Sequence, residues 1–362
     1  MAQDQARNEN TYETYTVAIV CAIEFEMSAV RYMLDEEHPR LPNRPGDPNR
    51  YILGQLSGHN TVVAWLPWSQ GKSAAAMVAA NLDRTFPSIE RRFLTGIGGG
   101  VPQSHDVRLG DVVVSMPEGR HGGLVQYDLG KDIDGGFRLK GFLAAPSTEL
   151  RSAVCEMKSD HRVNDSKIKQ FITAMLQKGS GFGDYRRPPS ESDVLFKADY
   201  SHVLNKRTCE QCDPKQTIRR PHHRDSPKIH YGLIASGDKV MRSAAKRDEE
   251  VRNLGEDVLC FEMEAAGLAT EFSCLVVRGI SDYADSHKND AWQHYAAAAA
   301  AACTKEILTY LDPATPPPAA TPVSLDSSEN GARISASFSG YGIQNVGSGN
   351  FSVGRGVHIG QR

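Results

Sequence analysis

Residues 16–23 (TVAIVCAI) are an unbroken apolar run rich in β-branched side chains, and EFEMSAVRYML follows at once with apolar residues at helical spacing. The chain therefore opens as strand then helix. RYILGQL and TVVAWL alternate like strands around the polar link SGHN, which reads as a hairpin, and GKSAAAMVAANLDRTF is an amphipathic helix that stops near Pro87. RRFLTG, DVVVSM and GLVQYDL add three short strands, and residues 147–178 carry one polar-faced helical pattern. After a gap the alternation resumes: KIHYGLIASGD (strand), MRSAAKRDEEVRNL (helix), VLCFEM (strand), EAAGLATEF (helix), CLVVRGISD (strand) and a last helix over 290–311. Strands that alternate with helices in this way imply an α/β fold, a mixed twisted sheet flanked by helices on both faces.

Three stretches break the pattern. Residues 180–228 (RRPP, CEQC, RRPHH) are polar and long for a compact domain, so they form a polar insertion and a candidate lid. Residues 312–332 are a Pro/Ser-rich linker, and 333–362 form a Gly/Ser/Asn-rich flexible C-terminal tail whose polar and aromatic alternation also suits cross-β stacking and tail-mediated assembly. Residues 1–14 read as a disordered N-terminus. The folded domain is expected over 15–311.

Apolar residues at 40% and charged residues at 23% argue against a wholly disordered or fibrous chain. The 41 basic and 44 acidic side chains are mixed, with a net charge of −3, so no basic field exists to attract a nucleic-acid polymer. The N-terminus lacks an apolar signal core, and the alanine run Ala296–Ala302 is too short and weakly apolar to span a bilayer. These features set cytoplasmic, with no membrane partner, as the expectation. The odd count of seven cysteines, four of them in apolar or helical surroundings, fits buried thiols better than a disulfide framework.

In open α/β sheets ligands bind beyond the carboxyl ends of the strands. Glu24 and Glu26 follow the first strand, Gly96 to Gly100 end another, Glu262 and Glu264 stand at a strand-to-helix turn, and Asp282 closes CLVVRGISD. Any one carboxylate after a strand is more often a cap or a solvated residue; four strand ends that converge on one rim are a site. The set suits cleavage of an N-glycosidic bond, which needs an acid for the leaving base, anchors for the sugar hydroxyls and an activated nucleophile.

These stretches resemble the purine nucleoside phosphorylase and methylthioadenosine/adenosylhomocysteine nucleosidase superfamily, including the phosphorylase-like domains of fungal proteins. The likeness rests on AIVCAIEFEM, SQGKSAAA, LTGIGGGV, GDVVVS, GLIASGDKVM, CFEMEAAGLA and VVRGISDYAD in that order, with FEMEAAG followed by RGISD the specific pair. The resemblance implies that Asp282 protonates or hydrogen-bonds N7 of a purine, with Ser281 beside it. It makes Glu264 the ligand of the ribose 2′- and 3′-hydroxyls, Met263 the packing against the sugar and Glu262 the support from the preceding turn. Glu26 would polarise the attacking water, with Glu24 in reserve. Val240 falls where an aromatic residue often stacks on the base. Burial of Asp282 in a partly desolvated pocket would suit its role as an acid, and Glu264 would place negative charge near a developing oxocarbenium ion.

The glycine loop separates hydrolysis from phosphorolysis. Where the phosphorylases place a phosphate-binding serine, TGIGGG has Ile97, which offers no side-chain donor, and IEFEM supplies a glutamate in place of their arginine. An anion site without those charge-assisted donors favours water, although the backbone of Gly98 and Gly99 can still meet a ligand. The leading reading is a purine nucleosidase acting on adenosine- or guanosine-type nucleosides or nucleotides, ATP included, with no cofactor and no metal in the site. Its competitors are a true phosphorylase and a purine-sensing or immune signalling module assembled through the tail. The resemblance also implies a homo-oligomer.

Two insertion features stay open. Cys209 and Cys212 with His222 and His223 lack the usual spacing of a zinc site and also suit insertion packing or a local redox pair. Arg186, Arg187, Arg219 and Arg220 are a solvated basic surface or a clamp for the 5′-phosphates of a nucleotide.

Overall fold

The structure, a computed structural model, describes residues 10–134, 136–203, 208–220 and 226–313. The expectations for residues 1–9, for His222 and His223, for nearly all of the 312–332 linker and for the tail fall outside the described residues. A 3-10 turn over Tyr12–Thr14 precedes the first strand, and the Tyr12 ring lies 5.8 Å from that of Phe86, so local order begins ahead of residue 15.

Strand β1 (Val17–Cys21) leads into helix α1 (Glu24–Met33), then β2 (Glu36–His38), β3 (Tyr51–Leu56), β4 (His59–Trp65) and α2 (Lys72–Thr85). The long β5 (Arg91–Gly100) is followed by β6 (Val112–Ser115), β7 (Leu124–Gln126) and a small antiparallel pair, β8 (Gly130–Ile133) and β9 (Gly136–Leu139). Helices α3 (Thr148–Asp160) and α4 (Ile168–Gln177) precede the insertion, after which come β10 (Ile229–Ser236), α5 (Ala244–Leu254), β11 (Val258–Glu262), α6 (Ala265–Ala269), β12 (Leu275–Asp282) and α7 (Gln293–Leu308).

Ten strands form one mixed sheet in the order β11-β10-β6-β12-β5-β1-β4-β3-β2, with β7 paired to β10. The hairpin expected around SGHN is present: β3 and β4 pair antiparallel across Ser57 and Gly58, both with positive φ, the conformation that matches the twist of the flanking strands. β5 runs parallel to β1 and β12 and then, through Gly99 and Gly100, crosses to pair antiparallel with β11. That second pairing closes β5, β12, β6, β10 and β11 into a ring, and it brings the ends of β5, β11 and β12 to one place.

The alanine run of α7 explains how closely the layers approach. Ala296 to Ala302 are all buried, and a Cβ at Gly279 of β12 would lie 1.9 Å from the Ala296 carbonyl oxygen. Small residues on both partners let helix and sheet backbones touch; larger ones would push α7 off the strand. Among the described residues no helix is long and apolar enough to cross a membrane.

The single helical pattern expected over 147–178 is in fact two helices. The turn between them is held by the buried Glu306 of α7, whose Oε1 accepts from His161 Nε2 and from the Lys167 backbone N–H, both at 2.9 Å. The helix expected from Met241 starts at Ala244, because the Ser243 side chain caps it by accepting from the Lys246 N–H at 3.4 Å. Met241 is thereby left beside the pocket described next.

Candidate active site

Glu26 sits in the first turn of α1, whose Ile23 N-cap has no polar side chain of its own. Glu26 supplies the missing acceptor: its Oε2 takes the backbone N–H groups of Ala22 (2.8 Å) and Ile23 (3.2 Å). Its Oε1 reaches across to β5 and accepts from the Ile97 N–H at 2.7 Å. Gly96 makes that reach feasible, since a Cβ there would lie 2.4 Å from both Glu26 Oε1 and Arg278 Nη1. Glu26 is buried, and burial raises its pKa while Arg278 and the three backbone donors pull it back. Glu24, the reserve candidate, points away into solvent and accepts from the Ser28 hydroxyl at 2.7 Å.

Arg278, in the middle of β12, is 1% exposed and lies among three carboxylates. Its Nη2 donates to Glu262 Oε2 at 2.5 Å and to Glu264 Oε2 at 3.2 Å, and its Nη1 stands 3.9 Å from Glu26 Oε1. Burial opposes the charge on Arg278, but Glu262, Glu264 and Glu26 outweigh it and raise its pKa. Glu262 also accepts the backbone N–H groups of Glu264 and Ala265, each at 3.0 Å, and so fixes the turn into α6. Glu264 then accepts from the Gly71 N–H at 3.3 Å, at the start of α2. Burial pushes the Glu264 carboxyl up to about 7; Arg278 opposes this, and the charges of Glu262 and Glu26 add to it.

Asp282 ends β12. The pairing with β5 slips at Ser281, so Asp282 lies opposite Gly99 and both Ser281 and Asp282 turn toward the ring of strands. Asp282 Oδ1 accepts from the Ala284 N–H at 2.9 Å; Oδ2 accepts from the Ser281 hydroxyl at 2.8 Å and lies 3.1 Å from the Lys288 ammonium. All three of these neighbours are donors.

Between these groups lies a cavity of about 260 Å³, lined by Glu26, Ile97, Gly98, Gly99, Val240, Glu262, Met263, Glu264, Ser281 and Asp282 among others. The expected site residues thus converge on one wall system. The volume suits a compact ligand, against about 300–1,000 Å³ for typical small-molecule sites. Sequence reasoning missed Phe261, Gln70, Lys239, Lys288 and Gln293, which line the same cavity, and Arg278 beneath it. Gln70, Lys239 and Phe261 lie inside the motifs that carry the family resemblance, and Arg278 is the one charge in the otherwise apolar strand CLVVRGI. Val240 lines the rim but is half-exposed, whereas the ring of Phe261 is buried and packs edge-on against Tyr127 at 5.3 Å.

The insertion stands elsewhere. Among the described residues it adds nothing to the lining of this cavity; instead Ser192, Val194, Phe196 and Cys209 line a second cavity that reaches Ser281 and Asp282 from behind. Of its arginines, Arg186 and Arg219 are exposed, while Arg187 and Arg220 are held in packing away from the pocket. Arg220 donates to Asp193 Oδ1 at 2.8 Å and to the Tyr283 hydroxyl at 2.6 Å, and the Arg187 guanidinium lies 5.5 Å from the Trp292 ring centre. The charged amines that line the cavity are those of Lys239 and Lys288.

A ring of strands whose ends, together with the first turn of α1, present Glu26, Glu264 and Asp282 to one cavity defines the class, and the sequence agrees: residues 16–311 match the phosphorylase superfamily, to which the chain belongs. Among curated proteins it is 39% identical, over 83% of its length, to a nucleotide-binding leucine-rich repeat (NLR)-like protein of Hyaloscypha variabilis, of which it spans 30%. It is 42% identical over 87 residues, 23% of this chain and 17% of the relative, to the ATP nucleosidase Cap17 of Escherichia coli. The chain thus spans less than a third of the curated relatives it matches. In solved structures the fold is that of the 5′-methylthioadenosine/S-adenosylhomocysteine nucleosidase of Neisseria meningitidis (TM-score 0.54, 20% identity, 82% of this chain and 99% of that one). It is equally that of the futalosine hydrolase of Helicobacter pylori (TM-score 0.53, 18% identity, 83% and 100%).

Proposed function

We propose that this domain hydrolyses the N-glycosidic bond of a purine nucleoside or nucleotide of the adenosine or guanosine type. The observation that carries the reading is the state of the Ile97 loop. The backbone donor that an anion would meet there is already bonded to Glu26, and Glu262 and Glu264 add negative charge beside it. A phosphate co-substrate would face three carboxylates that already engage the guanidinium of Arg278. Water meets no such repulsion.

In this reading the purine lies toward Asp282 and Phe261, and the ribose toward Glu264 and Met263. A carboxylate offers about four lone-pair sites. Three backbone N–H groups occupy Glu26, so one site remains to accept a proton from water. The water oxygen bonds to the anomeric carbon as the bond to the purine nitrogen breaks; one water proton passes to Glu26, while Asp282, entering the step as the carboxylic acid, gives its proton to N7 of the leaving base, and the proton held by Glu26 returns to Asp282 through solvent to reset the site. Glu264, by accepting the sugar hydroxyls, puts charge beneath the oxocarbenium-like centre where it counts most in the transition state. The likeness to an ATP nucleosidase favours a substrate with 5′-phosphates, which would set ATP above adenosine.

The test is product chromatography after incubation with adenosine, guanosine, inosine, ATP and methylthioadenosine in phosphate-free buffer. Free base should appear without phosphate. Release that begins only when phosphate is added would replace hydrolysis by phosphorolysis. The likeness to an NLR-like protein favours one further reading, an immune signalling module in the cytoplasm whose homo-oligomer is assembled through the 333–362 tail. Turnover that appears only in tail-dependent assemblies would support it.

A further inference from the structure

We propose that the insertion carries a zinc site, built from His202, Cys209 and Cys212, that fixes it against the loop following Asp282. The ligand atoms of these three residues lie within 4.8 Å of one another, and Cys212 is buried. A tetrahedron built from ordinary zinc–sulfur and zinc–nitrogen bonds has edges of about 3.5–3.8 Å, so closing the set asks for a shift of about an ångström. The third ligand is not one that the spacing suggests. The histidine comes from seven residues before Cys209 rather than from the pair after Cys212.

The surroundings of His202 are those of a metal ligand. Its Nε2 lies 3.1 Å from the Thr208 carbonyl oxygen, and a carbonyl accepts only an N–H. The contact therefore puts the proton on Nε2 and leaves the Nδ1 lone pair for a metal, with the second nitrogen tied to the backbone as in many metal-bound imidazoles. The His202 backbone N–H donates to the Ser286 hydroxyl at 3.0 Å, and Cys209 Sγ lies 3.8 Å from the His287 carbonyl oxygen. Both ends of the cluster thus touch the stretch between Asp282 and α7. Phe196 stacks on the His287 ring at 4.0 Å and, with Tyr200, shields this side from water.

The segment also needs a staple. Among the described residues its regular structure in this region amounts to single 3-10 turns, Ser190–Ser192, Cys209–Gln211 and Pro214–Gln216, and one isolated bridge between Phe196 and Thr217, and few of its described side chains are buried. A peptide with so little apolar surface gains its order from a metal more readily than from a core. Two thiolates and an imidazole are a set that zinc prefers over magnesium or calcium. Cys209 also lines the cavity behind Asp282, which leaves the fourth position to solvent.

The experiment uses the full chain, purified under reducing conditions, stripped with a chelator and reloaded with zinc or cobalt. Elemental analysis should give one zinc per chain, and cobalt should produce tetrahedral visible bands with thiolate-to-metal charge transfer in the near ultraviolet. Cys209→Ser and Cys212→Ser should each abolish the charge-transfer band or halve it, and His202→Ala should weaken retention at least tenfold; Cys155→Ser, at an exposed cysteine far along the chain, should change neither. Zinc should slow amide exchange in residues 196–203, 208–217 and 283–290 and leave exchange in β1 to β4 unaltered. A chain that takes up no metal when reduced, cobalt spectra indifferent to all three substitutions, or a Cys209–Cys212 disulfide in reduced preparations would each overturn the site. None of these readouts depends on turnover, so failure of the hydrolase reading would leave them intact.

Discussion

At one end of the cavity a single buried guanidinium serves three carboxylates; at the other a single carboxylate is served by three donors. The Arg278 end is sealed: Arg278, Glu26 and Glu262 have side chains at most 2% exposed. At the Asp282 end the Lys288 side chain is a quarter exposed, so one member of that cluster can move to solvent and back. A sealed ionic cluster is a structural commitment, because each charge has been stripped of water and depends on its partners. A half-open one is free to exchange a proton or a ligand. Substitutions at the two ends should therefore fail in different ways.

The largest effect is expected at Arg278. Arg278→Met leaves Glu26, Glu262 and Glu264 buried together without a cation, and loss of one partner of a buried ion pair costs about 3–5 kcal/mol. Urea denaturation should show an unfolding free energy lowered by that amount and a correspondingly lower midpoint, with turnover lost as a consequence. A midpoint within experimental error of the parent would mean that water reaches the cluster, and the contrast between the two ends would vanish.

Asp282→Asn should do the reverse. The amide can still accept from the Ala284 N–H, the Ser281 hydroxyl can rotate to accept, and Lys288 can swing outward, so the melting curve should hardly move. Release of free base should fall at least about a hundredfold, the scale of a lost acid. Near-normal turnover would remove Asp282 from the chemistry.

Glu26 bridges the two behaviours. A residue that only caps a helix and a residue that only activates water make separable predictions, but here the same carboxylate caps α1 and faces the cavity. In Glu26→Gln the new amide N–H₂ must confront either the Ile97 N–H or those of Ala22 and Ile23. An unmet donor of this kind costs about 1–3 kcal/mol. Stability and turnover should fall together, while affinity for a non-cleavable purine analogue stays within a few-fold of the parent. Loss of stability with full turnover would leave only the cap.

How much of this was legible in the sequence follows the same division. Strand-end carboxylates announce themselves, because a strand pattern locates its own end: Glu26, Glu264 and Asp282 were found that way, as were the β3–β4 hairpin and the α/β alternation. Groups that reach the site from inside an element do not. Arg278 reads as one charge in an apolar strand, Phe261 as one more core aromatic, and Lys288 as a polar residue in a loop. The break between α3 and α4 was hidden for a similar reason: helical spacing continues on both sides, and the turn is fixed by Glu306, 139 residues beyond Lys167. Pairings between distant residues leave no periodic trace.

The smallest effect is a slope with pH, and it tests the Arg278 end without breaking it. Burial and the neighbouring carboxylates raise Glu264 to about 7 in the folded protein, from an ordinary 4.5. Between those two values the folded state binds the extra proton and the unfolded state does not. Stability therefore falls as pH rises from about 4.5 through 7 and levels off above, the opposite of a salt-bridged carboxylate whose pKa is depressed. Glu264→Gln carries no titrating proton, so urea midpoints measured across this window should show a flatter descent than the parent, and the two curves should run parallel above pH 7. The reaction should move the other way, because only the ionised carboxylate stabilises a positive sugar: kcat/KM of the parent should climb toward pH 7 while its stability declines. A parent whose stability rises over that window, or a Glu264→Gln variant with an unchanged slope, would mean that Arg278 holds Glu264 ionised throughout and that the sealed end contributes charge to the site at every pH.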